Sequence, residues 1–250
     1  MHNDWLTIGP VTIHGYGVMM ALGIFVCISV SEKMAKKYGL AYEKIENMIF
    51  VAILCGFLGA KINYILTVLP DFFANPLSVL GGGGWVVYGS IIGGLLGAYV
   101  YCRIQKWNFI QVLDTVIVAL PLAQAIGRIG CFFAGCCYGK ETNAWYGITF
   151  PQGSLSPAGI PLIPTQLIMS LGDLVIFFVL FYRIKKKGDV RNTGALYLIL
   201  YSIGRFLIEF LRGDLERGHV GILSTSQFIG IFMCIFGIAL WFYNNKKRTA

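Results

Sequence analysis

Hydrophobic positions along this chain fall in long, nearly unbroken runs rather than in short alternating segments. Seven such stretches stand out, at 11–30, 46–69, 84–102, 112–133, 163–182, 194–211 and 222–243. A hydrocarbon layer of about 30 Å is crossed by roughly 20 apolar residues in a helix, whereas barrel strands would be about 9–11 residues long and alternate. The pattern therefore predicts an all-α polytopic membrane protein: seven transmembrane helices forming a single integral-membrane domain over residues 1–250. The fourth run is the least regular, because Pro121, Gly127 and Gly130 interrupt it.

Composition agrees. Hydrophobic residues make up 56 % of the 250 positions and charged residues only 13 %, with a mean hydropathy of +0.70. Soluble domains carry about 25 % charged residues, so a chain this poor in charge cannot cover a globular surface. Intrinsic disorder, a disulfide-stapled miniprotein and a cytosolic enzyme are excluded. The net charge of +8 is informative through its distribution. Fourteen Lys and Arg residues fall on one side of the predicted spans, at 33, 36, 37, 44, 103, 106, 183, 185, 186, 187, 191, 246, 247 and 248; the other side has Lys140, Arg212 and Arg217. Positively charged loops stay cytoplasmic, which predicts an outside N-terminus and a cytoplasmic C-terminus. The charge is then a topology signal and an attraction to anionic headgroups of membrane lipids, with no nucleic-acid partner. The first ten residues contain Asp4 and no Lys or Arg, so a cleavable signal peptide is not expected. The outside segments 70–83 and 134–161 are rich in Gly, Pro and aromatic residues. Parts of them, 72–80 and 145–163, suit the headgroup layer.

Charges inside the spans point to function. Lys61, Asp114, Arg128, Asp173, Arg205 and Glu209 lie within apolar runs, where each costs about 2.5–3.5 kcal/mol on insertion scales. With the topology above, Lys61, Arg128 and Arg205 fall in the outer halves of their spans, with Arg212 just beyond. His14, Tyr16 and Tyr88 share that depth. Arg205, Glu209 and Arg212 are spaced i, i+4, i+7 and lie on one helical face; the bland reading of that trio is a structural ion pair. Counting Lys61, Arg128, Arg205 and Arg212 against Glu209 leaves the layer positive, and a phospholipid phosphate is the obvious counter-ion. The planar guanidinium fork suits it. Asp114 and Asp173 are read as structural. Cys27, Cys55, Cys102 and Cys234 lie singly in apolar runs, as small hydrophobes do.

The segment Gly127-Arg128-Ile129-Gly130-Cys131-Phe132-Phe133-Ala134-Gly135-Cys136-Cys137-Tyr138-Gly139 resembles the Gly-Arg-x-Gly-Asn-Phe-x-Asn-Gly-Glu-x-x-Gly signature of the bacterial prolipoprotein diacylglyceryl transferases. Other segments match that family in order: Tyr16-Gly17, Gly59-Ala60-Lys61 with Tyr64, Tyr88-Gly89-Ser90-Ile91-Ile92-Gly93, Pro164-Thr165-Gln166, and Tyr201 with Arg205-Phe206, Glu209 and Arg212. The resemblance implies seven helices and transfer of a diacylglyceryl group from phosphatidylglycerol to the lipobox cysteine in a prolipoprotein signal peptide, leaving glycerol phosphate. It implies a bacterial inner or plasma membrane and an active site facing the outer leaflet. It carries catalytic roles to Arg128, Arg205, Tyr88 and Glu209, and phospholipid binding to Arg128, Lys61, Tyr16, Arg212, Tyr201 and Gly89. No cofactor and no metal are expected.

The departures from that pattern are also specific. Tyr88 stands where the family has His, Cys131 and Ala134 stand for Asn, Cys136 for Glu, and Ile163 and Ile168 replace a His and a Tyr. A phenol titrates near 10 and is a poor base at neutral pH, so either Tyr88 or His14 would stand in for the lost imidazole. The cluster Cys131, Cys136, Cys137 admits three readings: small apolar packing; a reactive thiol ionised by Arg128; or an outside disulfide or metal, although adjacent Cys136 and Cys137 lack the two-residue gap of a zinc knuckle. The arginines match while base and orienting groups differ. Two alternative functions therefore stand beside the first: a diverged paralogue with another acceptor, and a non-catalytic lipid-binding or lipid-transport protein.

Overall fold

A computed structural model describes residues 3–9, 11–40, 42–214 and 218–249. Arg217, counted above with the outside loops, lies outside the described residues. The elements run β1 (Asp4–Ile8), β2 (Val11–His14), α1 (Gly15–Lys37), α2 (Tyr42–Thr67), α3 (Leu69–Ala74), α4 (Pro76–Gly81), α5 (Val87–Ile104), α6 (Phe109–Val116), α7 (Ala119–Ala134), β3 (Ile148–Thr149), β4 (Pro161–Leu162), α8 (Thr165–Lys187), α9 (Thr193–Ile208), a 3-10 turn at Glu209–Leu211, β5 (His219–Val220), β6 (Leu223–Ser224) and α10 (Thr225–Thr249). Among these, six helices are long and apolar enough to cross a membrane, and seven spans result when α6 and α7, bent by 45°, count as one. The seven-helix expectation is met. The spans bury only 17 to 33 % of their apolar windows inside the protein, so most of their hydrocarbon needs a lipid environment.

The bend in the fourth span has a sequence cause. Pro121 has no N–H to offer the Ile117 carbonyl one turn earlier. Leu120 N–H takes that carbonyl instead, at 3.2 Å, and the helix breaks between Val116 and Ala119. The first span starts later than the hydropathy run suggests. Residues 11–14 pair as β2 with β1 in an antiparallel hairpin, Leu6 opposite Ile13 and Ile8 opposite Val11. His14 therefore sits on a strand rather than on the first helix.

The chain packs as two compact units. In the unit Ser31–Leu113, α2 and α5 cross at glycines. A Cβ on Gly59 would lie 2.3 Å from the Gly89 carbonyl, and one on Gly89 would lie 2.2 Å from the Gly59 carbonyl. Only glycine allows this approach, the small-residue packing of membrane helices. Beside the crossing runs an apolar groove of about 730 Å³, bordered by residues such as Cys55, Ile62, Leu66, Ile92, Leu96 and Val100.

In the other unit, Met1–Val30 with Asp114–Ala250, α7 packs on α8, α8 on α9 and α9 on α10. Polar side chains fix the helices. Ser170 donates to the Ala125 carbonyl (2.9 Å), and Tyr197 donates to Gln124 Oε1 (2.9 Å). Buried Asp114 accepts the amides of Gly194 (2.7 Å) and Asn192 (3.1 Å), capping α9. The start of α10 is a capping box: Gln227 N–H donates to Ser224 Oγ and Ser224 N–H to Gln227 Oε1, both at 3.1 Å.

Candidate active site

The site is built where α7 ends, α8 begins and α9 ends. Helix α7 stops at Gly135, whose φ of +74° is the left-handed conformation that closes a helix. Gly135 N–H returns to Phe132 O at 3.3 Å and Cys136 N–H to Cys131 O at 3.2 Å, the paired bonds of a Schellman turn. This turn folds Cys136 and Cys137 back onto the last turn of α7, where Cys131 lies. Cys137 is itself left-handed, with φ +60°.

The first residues of α8 hold that loop. Thr165 Oγ1 donates to Cys137 O and Gln166 Nε2 to Cys136 O, each at 2.7 Å. The Pro-Thr-Gln segment thus serves as an anchor for the loop after Arg128. Gly139 then bridges to Arg212, with Lys140 N–H on Leu211 O (2.9 Å) and Gly213 N–H on Tyr138 O (3.1 Å). The segment after α9 is tied in this way to the segment after α7.

The arginines occupy three different environments. Arg205 is paired with Glu209 at 2.5 Å and also donates to Ser226 Oγ of α10 at 2.9 Å. Arg212, with 5 % of its side chain exposed, forms a two-pronged pair with Asp214, Nε to Oδ1 at 2.8 Å and Nη2 to Oδ2. Burial opposes the Arg212 charge, but the Asp214 bonds and nearby Cys137 raise its pKa above the usual guanidinium range. Arg128 belongs to none of the ion pairs among the described residues. The groups that feel its charge are Tyr201, Cys131, Cys137 and Asp173, with Tyr16 also within its field. Asp173 is buried, and its Oδ2 has no hydrogen-bond partner.

This revises the charge count read from the sequence. Asp214 escapes that count because it lies beyond the sixth span, and it neutralises Arg212. Lys61 belongs to the other unit, where its ammonium donates to the Gly82 carbonyl at 2.8 Å and lies over the Tyr64 and Trp85 rings. Those contacts tie Lys61 to the glycine-rich segment before α5. Gly89 is the helix-crossing glycine described above. Tyr88 stands in the first turn of α5, 41 % exposed. His14 Nδ1 lies 2.6 Å from Asp4 Oδ1 on the exposed hairpin. The structure thus brings together Tyr16, Arg128, Tyr201, Cys131, Cys136, Cys137 and Arg212, with Arg205 about one helix turn and Glu209 about two turns after Tyr201.

The three sulfurs of Cys131, Cys136 and Cys137 all lie within 4.8 Å of one another. Hydrogen bonds from Cys131 and Cys136 hold the Cys137 thiol well below the ordinary thiol range; burial opposes this, and Arg212 and Arg128 reinforce it. Gln166 was legible as part of a motif, but its role was not. It is fully buried, its nitrogen is engaged by Cys136, and its Oε1 is left without a partner.

Fold and site together define a polytopic membrane protein with a polar cluster at its helix ends, in which one guanidinium, that of Arg128, makes no ion pair among the described residues. The sequence model of the prolipoprotein diacylglyceryl transferases matches residues 4–243, and the chain belongs to that family. It is 44 % identical over 228 residues to the phosphatidylglycerol–prolipoprotein diacylglyceryl transferase of Clostridium tetani, covering 90 % of this chain and 91 % of that protein. It is 45 % identical over 238 residues to enzyme 2 of the same description from Clostridium perfringens, covering 94 % and 92 %. The transferase of Clostridioides difficile is 36 % identical over 244 residues, covering 97 % and 95 %.

Proposed function

We propose that this chain transfers a diacylglyceryl group from phosphatidylglycerol to the lipobox cysteine of a prolipoprotein, releasing glycerol phosphate. The observation that carries the reading is Arg128. It sits in the family's Gly-Arg-x-Gly segment, makes no ion pair among the described residues, and has Tyr201, Cys131, Cys137 and the buried carboxyl of Asp173 within its field. Its guanidinium binds the headgroup phosphate. As the acceptor sulfur bonds to the glycerol carbon, the carbon–oxygen bond to phosphate breaks and the oxygen keeps the electron pair. A cation fixed at that oxygen stabilises the charge as it develops. Tyr16 and Tyr201 offer hydroxyl donors to the same phosphate. Arg205, held by Glu209, and Arg212, held by Asp214, position the wall around it. Tyr88 and Gly89, on α5, are assigned to handling of the lipid donor, and the apolar groove of the same unit, beside α2, has the chemistry to suit acyl chains. The site faces the outer leaflet of a bacterial plasma membrane, with the N-terminus outside.

The test is purified protein with labelled phosphatidylglycerol and a lipobox peptide, read as lipidated peptide and free glycerol phosphate. Arg128→Ala is expected to lower turnover by roughly 100- to 1000-fold, the loss typical of a deleted charge-stabilising donor. Wild-type turnover in that variant would overturn the assignment.

A further inference from the structure

The cluster of Cys131, Cys136 and Cys137 has no part in gripping a phosphate, yet the fold goes to some length to assemble it. The Schellman turn at Gly135 brings two sulfurs back to a third. Cys137 holds a left-handed backbone, φ +60°, which is sterically unfavourable for an L-residue. Such strain persists where the surroundings over-determine it. Here they do: Thr165 and Gln166 fix the carbonyls of both cysteines. All three are free thiols, half-buried.

We propose that Cys131, Cys136 and Cys137 are three ligands of one zinc ion, whose open fourth position takes the acceptor thiol. The second half of this proposal rests on the transferase reading above; the first half does not. Three thiolates select soft or borderline cations over magnesium or calcium. Catalytic zinc typically keeps three protein ligands and one exchangeable position. A tetrahedral ion with zinc–sulfur bonds of about 2.3 Å needs sulfurs roughly 3.8 Å apart, and three sulfurs already within 4.8 Å reach that by small side-chain rotations. Adjacent cysteines lack the gap expected of a zinc motif, but the left-handed turn at Cys137 brings its sulfur to the shared position. Charge also fits. A zinc trithiolate carries one net negative charge, and Arg128, which makes no ion pair among the described residues, lies in the field of Cys137; Arg212 is also near Cys137 but is already paired with Asp214. The unpartnered, buried Oε1 of Gln166 sits on the same wall and can accept a hydrogen bond from a zinc-bound water or from the incoming peptide.

The chemistry then balances without an external oxidant or reductant. The acceptor S–H loses its proton to solvent as the sulfur enters the fourth position, because a coordinating thiol is deprotonated outright. That sulfur forms a bond to the glycerol carbon, the carbon–oxygen bond breaks, and glycerol phosphate leaves with the electron pair. The product is a thioether, a weaker ligand than a thiolate, so it departs and the position reopens.

The test begins with metal content, which needs no lipid substrate. Full-length protein purified in detergent without chelators is expected to carry about one zinc per chain by elemental analysis. Cys131→Ser, Cys136→Ser and Cys137→Ser should each lower this at least fivefold, while Cys234→Ser should not. Cobalt substituted for zinc should show intense sulfur-to-cobalt charge-transfer bands, and a lipobox cysteine peptide should shift them where its serine analogue does not. Because a cysteine variant can misfold, wild-type protein stripped by chelator and reloaded with zinc gives an independent arm. Zinc below a tenth of an equivalent in wild type and no uptake on reloading would overturn the site, as would a disulfide found among the three residues. Zinc bound with no response of the cobalt spectrum to peptide would overturn the acceptor role, as would full transfer by stripped protein. Arg128→Ala that retains zinc but loses transfer would leave the site standing and separate it from the phosphate-binding reading.

Discussion

Arg128 and Arg212 carry the same guanidinium in opposite circumstances. Arg212 is satisfied, with Nε and Nη2 on Asp214 and Nη1 directed to Met169 Sδ at 3.9 Å. Its backbone also bridges to Gly139, which ties the segment after α9 to the cysteine loop. Arg128 makes no ion pair among the described residues; its field reaches the phenols of Tyr201 and Tyr16, the thiols of Cys131 and Cys137 and the carboxyl of Asp173. This contrast predicts different failures. Asp214→Asn leaves a buried Arg212 uncompensated, a change that typically costs about 3–5 kcal/mol; three-quarters burial of the Asp214 side chain supports the lower end, about 3 kcal/mol. The expected outcome is a marked fall in Tm in detergent, measured by thiol-independent thermal unfolding, together with loosening of the 136–140 loop. An unchanged Tm would show that the pair contributes nothing. The sequence made the arginines conspicuous because each is an expensive residue in an apolar run. It hid Asp214, which lies outside any run, where a carboxylate is unremarkable until the chain folds back two residues after Arg212.

Helices were legible for a simple reason: a bilayer demands unbroken apolar length, and the chain supplies it seven times. Their ends were less so. The first hydropathy run includes Val11–His14, which the hairpin with Asp4–Ile8 claims as strand, and apolarity alone does not distinguish those states. The bend at 45° between α6 and α7 was signalled by Pro121. Asp114 shows what a linear reading cannot supply. It looks like a residue near a helix end reaching for water, but it is buried and caps α9 about 80 positions later, through the amides of Asn192 and Gly194. Those amides have no partner within their own helix. Asp114→Ala is therefore expected to destabilise the α6–α9 contact by about 1–2 kcal/mol, the usual cost of a lost cap. Native-state hydrogen exchange should show faster exchange at residues 192–196 and little change in α10. Unaltered protection there would remove the cap from the account.

At the scale of the whole molecule the decisive property is sidedness. Within the unit that holds the polar cluster, α8 shows this directly: Lys185, Lys186 and Lys187 close the helix, whose first residues Thr165 and Gln166 hold the cysteine loop. A phospholipid donor in the outer leaflet and an acceptor cysteine delivered by a translocated signal peptide meet only if that cluster faces outward. In the proposed orientation the basic ends stay with the anionic cytoplasmic surface. Trp145, 96 % exposed in the loop after α7, and Lys186 at the opposite end of α8 are the sensible reporters. In intact cells a membrane-impermeant maleimide is expected to modify a Trp145→Cys variant and to spare Lys186→Cys, which should label only after permeabilisation. The unsubstituted protein sets the background from its native cysteines. The reverse pattern would turn Arg128 and its phenols toward the cytoplasm, away from any translocated acceptor. It would overturn the proposed orientation even if purified protein still transferred lipid in detergent, where neither face is distinguished.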